Sequence, residues 1–137
     1  MSATFTKVPY ARLNPRQKEN YNFHKVAARL ADFGYTSLRL TDDFEGADFV
    51  ALHVDGVTML RVQLKSRLTL QKKYLGKGIH VAYRTGDEIF LYPHDEMVGR
   101  VREKGGLDGT ASWDEAGLYT WPRPPAWACA MLKDYAL

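Results

Sequence analysis

The chain of 137 residues has little of what several classes of protein require. Its one cysteine, Cys129, excludes an intrachain disulfide and any multi-cysteine zinc or iron–sulfur site, which favours a reducing, cytoplasmic setting. No apolar run approaches the roughly 18–20 residues that cross a bilayer, so we expect no membrane partner. Residues 1–7 lack the apolar stretch of a signal peptide. We find no repeat, low-complexity tract or linker, and the length suits a single core.

Acidic residues are scarce in two segments of the chain. Residues 1–31 contain six basic side chains and one acid, Glu19, and residues 56–86 contain seven basic side chains and no acid. The remainder has six basic and fifteen acidic side chains, a net charge of −9. Clustered Lys and Arg side chains attract the phosphates of nucleic acid. On charge alone, a solvated basic face is an equally good interpretation.

The predicted elements are a helix, three strands, two further strands and two helices, the order αβββ(ββ)αα. Asn14 is the expected N-cap of the first helix, Pro15 its first residue and Gly34 its end. Apolar spacing predicts the other elements, which are strands over 35–40, 48–54, 57–65, 79–84 and 88–92, and helices over 93–104 and 126–135. We expect a polar loop over 41–46 and a basic connector over 68–78. Ser112 and Glu115 match the spacing of a capping box.

These elements predict a mixed α/β (α+β) fold in which helices flank a central mixed sheet. We divide the chain into an N-terminal arm (1–13), a core (14–105) and a C-terminal extension (106–137). The extension is rich in aromatic residues and proline, and we expect it to pack on the core.

The clearest local signal is a hairpin whose strands are joined by Asp55-Gly56, a pair favoured in two-residue type I′ turns. In that register Asp48 lies opposite Gln63, and Lys65 projects to the same face. The other face receives apolar side chains suited to a core, namely Phe49, Ala51, Leu60, Val62 and Leu64. The open end of the hairpin therefore gathers a carboxylate, a carboxamide and an ammonium group.

Glu19 is expected to join these three side chains. It precedes Phe23 by four residues and Val26 by seven, which places it at the polar end of the buried stripe of the first helix. An acid that faces the sheet needs a partner, and a metal ion or Lys65 could serve. The alternative is a surface ion pair with Arg16 or Lys18, which contributes little to stability.

A cluster of acids, an amide oxygen and a lysine suits the hydrolysis of a phosphodiester. Mg²⁺ held by one or two carboxylates can neutralise the anionic centre and generate hydroxide. A nearby lysine can orient or help to deprotonate the attacking water, and can offset the charge of the transition state.

Asp48, followed after fourteen residues by Gln63-Leu64-Lys65 and preceded by a helix that carries Glu19, resembles the PD-(D/E)XK nuclease superfamily. The similarity covers roughly residues 14–92. Ala47 stands where the family usually has proline, and Gln63 replaces its usual Asp or Glu. The resulting Q-x-K motif is similar to that of VRR-type nucleases and of certain intron-encoded homing endonucleases. A carboxamide still coordinates Mg²⁺ but adds no negative charge, so a lower metal affinity is expected.

The resemblance implies a restriction-endonuclease-like fold and a Mg²⁺-dependent DNA endonuclease. Asp48, Gln63 and Glu19 would hold Mg²⁺, for which Mn²⁺ could substitute, and Lys65 would assist the water or the scissile phosphate. No organic cofactor is implied. A homodimer is implied because cutting both strands of DNA usually takes two sites.

Five residues of the basic connector are predicted to contact the nucleic-acid backbone: Arg67, Lys72, Lys73, Tyr74 and Lys77. The alternative for this segment is a solvated connector. Two other functions remain open for the whole chain. One is a catalytically inactive nucleic-acid-binding module of the same fold, which the neutral Gln63 would suit. The other is a structural or interaction protein whose basic segments bind an acidic protein.

Overall fold

The structure, a computed structural model, describes residues 5–137, so the first four residues of the predicted arm lie outside it. Seven strands are present: β1 Tyr35–Phe44, β2 Ala47–His53, β3 Met59–Lys65, β4 Leu68–Gln71, β5 Ile79–Thr85, β6 Glu88–Pro93 and β7 Leu118–Trp121. Four α-helices accompany them: α1 Pro15–Ala31, α2 His94–Glu103, α3 Ala111–Asp114 and α4 Ala126–Lys133. None of the helices within residues 5–137 has both the length and the apolar character that a bilayer crossing needs.

A five-stranded mixed sheet with the order β1-β2-β3-β5-β6 forms the centre of the fold. Strands β1, β2 and β3 form an antiparallel meander, and β5 returns parallel to β3 before β6 pairs with it in the antiparallel sense. Strands β4 and β7 form a separate two-stranded sheet. Mixed α+β architecture is therefore confirmed.

Helix α1 covers one face of the central sheet. A capping box begins the helix, since the Asn14 side chain accepts from the Gln17 N–H and the Gln17 side chain accepts from the Asn14 N–H. The apolar stripe of the helix is buried against the hairpin face that the sequence predicts to be apolar, in a cluster that includes Phe23, Val26, Leu30, Phe49, Ala51 and Val62. Both the helix and its buried face are confirmed.

Over β5 and β6, the other face of the sheet is covered by α2, the β4–β7 sheet and α4. The core on this side contains Tyr92, Met97, Trp113, Trp121 and Met131, among others. The C-terminal residues also cover the edge of β6, because the Leu91 N–H donates to the Tyr135 carbonyl and the Leu137 N–H donates to the Ile89 carbonyl, each over 2.9 Å. The C-terminal residues therefore share the core with the central sheet, while the division into arm, core and extension stays a prediction.

The prediction of a loop over 41–46 is wrong for residues 41–44. Strand β1 continues to Phe44, which pairs with Ala47, and an irregularity in the ladder separates this pair from Arg39↔Phe49. Polar residues are tolerated here because β1 is an edge strand with exposed side chains. Only Glu45 and Gly46, both with positive φ, form the turn.

The predicted hairpin register is confirmed, but its turn is not of type I′. The ladder pairs Phe49 with Val62 and continues to Leu52↔Met59. The His53 N–H then donates to the Thr58 carbonyl over 3.0 Å, so four residues form the loop and β3 begins at Met59. Within this loop only Gly56 has positive φ, whereas type I′ needs two such residues. A two-residue and a four-residue loop about the same centre give the same register.

The basic connector predicted over 68–78 contains regular structure. Residues 68–71 form β4, and residues 72–74 form a turn of 3₁₀ helix. The partner of β4 is β7, about fifty residues later in the chain, which local periodicity does not reveal. The predicted capping box at Ser112 is also wrong, because Thr110 is the N-cap of α3 and accepts from the Trp113 N–H.

Candidate functional site

A cavity of about 300 Å³ opens where strands β2 and β3 leave their ladder beside the first turns of α1. All four residues predicted for the site line it: Glu19, Asp48, Gln63 and Lys65. The other lining residues are Arg39, Leu40, Thr41, Asp42, Asp43, Ala47 and Leu64. Helix α1 and the two strands of the β2–β3 hairpin thus place the four predicted side chains at one cavity, which we call the site cavity.

Asp48 is held in place by the neighbouring strand. Its Oδ2 atom accepts from the Leu64 N–H over 2.8 Å, where the backbone ladder of β2 and β3 has ended. Within residues 5–137 no hydrogen bond or ion pair engages Oδ1. Burial raises the pKa of Asp48, against the opposing effects of the Leu64 N–H and the Lys65 ammonium, and Asp43 and Glu19 raise it further. The carboxylate is therefore oriented, partly desolvated and rich in unused acceptor capacity.

Lys65 lies near Asp48 without a direct ion pair between them in the described part of the chain. Burial lowers the pKa of the Lys65 ammonium, Lys73 lowers it further, and Asp48 opposes both. The Lys65 Nζ lies 5.8 Å from the ring centroid of Tyr74. This half-buried ammonium is consequently able to approach an anion in the cavity.

Gln63 on β3 and Glu19 on α1 contribute side-chain oxygen atoms to the site cavity. The half-buried Gln63 has no side-chain hydrogen bond to any of residues 5–137, although its neighbours in β3 are firmly paired with β5. Glu19 is exposed on α1, and it forms no ion pair with Arg16 or Lys18. The surface ion pair considered for Glu19 is thus not formed.

Three further charged residues of the cavity lie on β1 and were missed by sequence reasoning: Arg39, Asp42 and Asp43. The Arg39 guanidinium donates to the Asn20 side chain and stacks over Phe23, with 5.3 Å between Cζ and the ring centroid, which ties β1 to α1. Asp43 Oδ2 accepts from the Gly46 N–H over 3.2 Å. Asp42 and Asp43 were assigned to a loop, and the only available signal was their position three and two residues before the Glu45-Gly46 turn.

Tyr74 is the clear correction among the predicted nucleic-acid contacts. Tyr74 is only 3% exposed and packs edge-on against His94, so it has little surface available for the predicted contact with the nucleic-acid backbone. Tyr74 lies instead next to residues that line the site cavity, among them Lys65. Burial, together with the carboxylates of Asp48 and Asp43, raises the pKa of Tyr74 to about 12.

The remaining predicted contacts lie beside the site cavity or on the surface near it. Arg67, Lys72 and Lys73 are exposed. Lys73 contributes with Lys77 to a small cavity of about 210 Å³ that shares Asp43 with the site cavity. Lys77 is paired with Glu45 over 3.2 Å, and the Lys72 Nζ lies 5.4 Å from the ring centroid of Trp113.

The donor atoms of the site cavity fit Mg²⁺, which prefers oxygen ligands and keeps several waters. No group of three His, Cys, Asp or Glu side chains within residues 5–137 could hold a metal ion alone. Mg²⁺ needs only one or two carboxylates in addition to neutral oxygens. Asp48 with Gln63 and either Glu19 or Asp43 meets that requirement, whereas no histidine or cysteine lines the cavity to favour zinc.

Comparison of the chain with protein-family models, with curated proteins and with solved structures finds no match.

Proposed function

We propose that this protein is a Mg²⁺-dependent DNA endonuclease of the PD-(D/E)XK type, with a restriction-endonuclease-like fold and a Q-x-K motif. One observation carries the proposal. Glu19, Asp48, Gln63 and Lys65, which the family resemblance selects from the sequence, line one cavity. The supporting topology is a helix followed by an antiparallel meander that delivers Asp48 and Lys65 from adjacent strands.

The charge balance of the cavity supports a requirement for a cation. Four carboxylates line it, those of Glu19, Asp42, Asp43 and Asp48, against the two cations Arg39 and Lys65. Burial is the main cause of the raised pKa of Asp48, and the carboxylates of Asp43 and Glu19 raise it further. A phosphodiester would be repelled from such a cavity unless a divalent cation offset the carboxylates.

Asp48, Gln63 and Glu19 would hold Mg²⁺, and Mn²⁺ would substitute for it. When bound, the ion supplies positive charge to the scissile phosphate and makes water a stronger nucleophile. Lys65 places its ammonium against a non-bridging phosphate oxygen and offsets the charge that develops as the water oxygen attacks phosphorus. The attacking water loses one proton to solvent as its oxygen bonds to phosphorus, the bond from phosphorus to the leaving oxygen breaks, and a proton from solvent neutralises that oxygen. Arg67, Lys72, Lys73 and Lys77 would bind phosphates beyond the scissile one.

The test is cleavage of supercoiled plasmid and of branched DNA in Mg²⁺ or Mn²⁺, with EDTA as the metal-free comparison. We expect metal-dependent cutting by the wild type, and a loss on the order of 100-fold in Lys65→Ala, because one positioned donor to the transition state is removed. Lys104→Ala is the matched control, since it removes one exposed lysine at the end of α2. Equal activity in the two variants would exclude Lys65 from the chemistry.

A catalytically inactive nucleic-acid-binding module is the second candidate. Gln63 favours it, because a neutral amide stands where a carboxylate would strengthen metal binding, and because no group of three His, Cys, Asp or Glu side chains among the described residues could hold a metal ion. Salt-sensitive binding of DNA without cleavage in either metal would support the module. Absence of DNA binding at low salt would instead favour a protein that binds an acidic partner.

The proposal includes a homodimer, since two sites are needed to cut both strands. Apolar side chains exposed on the meander face that lies away from α1 support it: Leu38 is 49% exposed, Leu52 39% and Met59 49%. Light scattering would then give twice the monomer mass, and Leu52→Glu, on the strand between those that carry Leu38 and Met59, would give the monomer.

A further inference from the structure

A cluster of two tyrosines and three cations lies next to the site cavity, on the side away from Lys73. Its members are Tyr10, Lys18, Tyr21, Lys25 and Arg84, and we call it the Tyr10–Tyr21 cluster. The two tyrosine rings lie 5.3 Å apart between centroids. The Arg84 Cζ lies 4.9 Å from the Tyr10 centroid and 5.0 Å from that of Tyr21.

Hydrogen bonds hold this cluster together and anchor the segment before α1. Asn22 donates through Nδ2 to the Tyr10 hydroxyl over 2.9 Å and accepts through Oδ1 from the Arg84 Nε over 2.7 Å. Residues 10–12, a turn of 3₁₀ helix, are thereby attached to α1 and β5. The cluster is a built surface, since residues from three elements determine its geometry.

Among the described residues, the cations of the cluster have no carboxylate partner. Lys18 Nζ lies 5.4 Å from the Tyr10 centroid and Lys25 Nζ lies 5.3 Å from that of Tyr21. No ion pair within residues 5–137 involves Lys18, Lys25 or Arg84, whereas Lys77 on the opposite side of the site is paired with Glu45. Three neighbouring cations repel one another, and a polyanion that contacts all three would relieve this repulsion.

The cluster is continuous with the site cavity. A second cavity of about 350 Å³ is lined by Tyr10 and Lys18 from the cluster and by their neighbour Asn22. Glu19, Leu64 and Lys65, which also line the site cavity, complete this lining. From Glu19 to Lys25 along α1 the axial rise is ~9 Å. Phosphates of one strand of DNA follow one another at about 3.4 Å along the axis, so this path covers two or three phosphates.

We propose that the Tyr10–Tyr21 cluster binds the backbone of the nucleic-acid strand that runs out of the site cavity past Lys65, on the side opposite the 72–77 segment. This inference rests on the proposed function for the position of the scissile phosphate. It adds a second row of phosphate contacts, which we call the track, to the contacts predicted for the 72–77 segment. The two tyrosine rings hold the cations at fixed positions beside the strand.

The test measures binding without cleavage, by fluorescence anisotropy of a labelled single-stranded DNA of 20 nucleotides in EDTA, over a range of salt concentrations. For single strands, each phosphate contact contributes about 0.7 to the slope of log K against log salt. Removing two contacts with Lys18→Ala and Lys25→Ala is therefore expected to lower the slope by about 1.4. The double variant Lys104→Ala and Lys133→Ala, which removes the same charge from exposed positions elsewhere, is expected to leave the slope unchanged.

Each outcome separates this inference from the catalytic proposal. A reduced slope in the Lys18/Lys25 variant alone supports the track, even where the wild type does not cut DNA and the nuclease proposal fails. Cutting by the wild type with equal slopes in both double variants overturns the track and leaves the nuclease proposal standing. Failure of the wild type to bind the strand at low salt, or equal displacement by a polyglutamate peptide, also overturns it.

Discussion

The carboxylate of Asp48 accepts from the backbone N–H of Leu64 over 2.8 Å, one pair beyond the end of the β2–β3 ladder. A side-chain oxygen thus takes the place that a backbone carbonyl would occupy in a longer ladder. This contact determines which way the carboxylate points, and it brings Asp48 close to Lys65 in the next strand. Because the neighbouring strand already orients this carboxylate, the carboxylate does not have to reorient when the reaction takes place.

Asp48→Asn is expected to abolish metal-dependent cleavage and yet to stabilise the metal-free protein. The amide keeps an acceptor for the Leu64 N–H but removes a charge that burial makes unfavourable. Because the folded-state pKa of Asp48 is raised, the folded state retains a proton that the unfolded state has already lost as pH rises above 3.8. The free energy of unfolding therefore falls through that window, and it stays lower at neutral pH.

Thermal unfolding in EDTA and in Mg²⁺ checks this expectation. The melting temperature of Asp48→Asn should exceed that of the wild type in EDTA, and only the wild type should gain stability when Mg²⁺ is added. A lower melting temperature in EDTA, or an equal gain with Mg²⁺ in both proteins, would contradict it.

Gln63→Glu is expected to strengthen metal binding. A third carboxylate beside Asp48 raises the negative charge of the ligand set, so the Mg²⁺ concentration for half-maximal cleavage should fall on the order of tenfold. Gln17→Glu is the matched control, because it adds the same charge at a capping position where glutamate also serves. If both variants need as much Mg²⁺ as the wild type, Gln63 is not a ligand.

Gly46→Ala should be more destabilising than the same change in the hairpin loop. Both glycines have positive φ, +91° for Gly46 and +72° for Gly56, so alanine at either costs about 1–2 kcal/mol in backbone strain. A Cβ at Gly46 would also lie 2.8 Å from the Tyr74 ring, whereas a Cβ at Gly56 meets nothing within 4 Å. Because Tyr74 is buried, we expect about 1–3 kcal/mol more from overpacking. Urea unfolding of the two variants measures the difference, and equal losses would mean that the ring moves freely.

His94 should make the protein less stable in mild acid. Its buried ring accepts through Nε2 from the Gln71 N–H over 3.0 Å, and Nδ1 lies 3.1 Å from Asp95 Oδ1. Burial lowers the pKa of His94 against the opposing effect of Asp95, so below pH 6.5 the unfolded state binds a proton that the folded state does not. The free energy of unfolding should then fall as pH decreases, by up to about 1.4 kcal/mol per pH unit.

The half-buried His80, whose pKa burial also lowers, adds to the same trend. His94→Gln keeps an acceptor for Gln71 and should reduce the slope, while His24→Gln, at an exposed position on α1, should leave it unchanged. Denaturant unfolding between pH 7 and pH 5 provides the measurement. An identical pH dependence in wild type and His94→Gln would show that His94 takes up its proton as readily in the folded state as in the unfolded state.

Local patterns were sufficient for α1 and for the hairpin register. Asn14, Pro15 and the spacing of Phe23, Val26 and Leu30 determine the helix, because capping and burial of one stripe act within a few residues. The alternation of apolar residues in β2 and β3 determines which face is buried, so the register survives the change from a two-residue to a four-residue loop.

Such local patterns do not predict which distant parts of the chain pair or pack together. Strand β4 exists because β7 pairs with it, and residues 41–44 are extended because the edge of the sheet tolerates polar side chains. Tyr74 lies in a basic stretch that resembles an exposed loop, yet the core accommodates its ring beside His94 and Gly46. Each of these errors concerns a residue whose environment is made by distant parts of the chain.

The amino-acid sequence alone determined the helix that carries Glu19 and the facing of Asp48, Gln63 and Lys65 on one ribbon, because caps and alternation are properties of neighbouring residues. Only the tertiary structure decided that α1 meets the open end of that ribbon, that Asp42 and Asp43 join the cavity from an edge strand, and that Tyr10, Tyr21 and Arg84 come together beside it. Such contacts depend on how the sheet, the helix and the segment before the helix pack as layers. No pattern among neighbouring residues encodes this packing between layers.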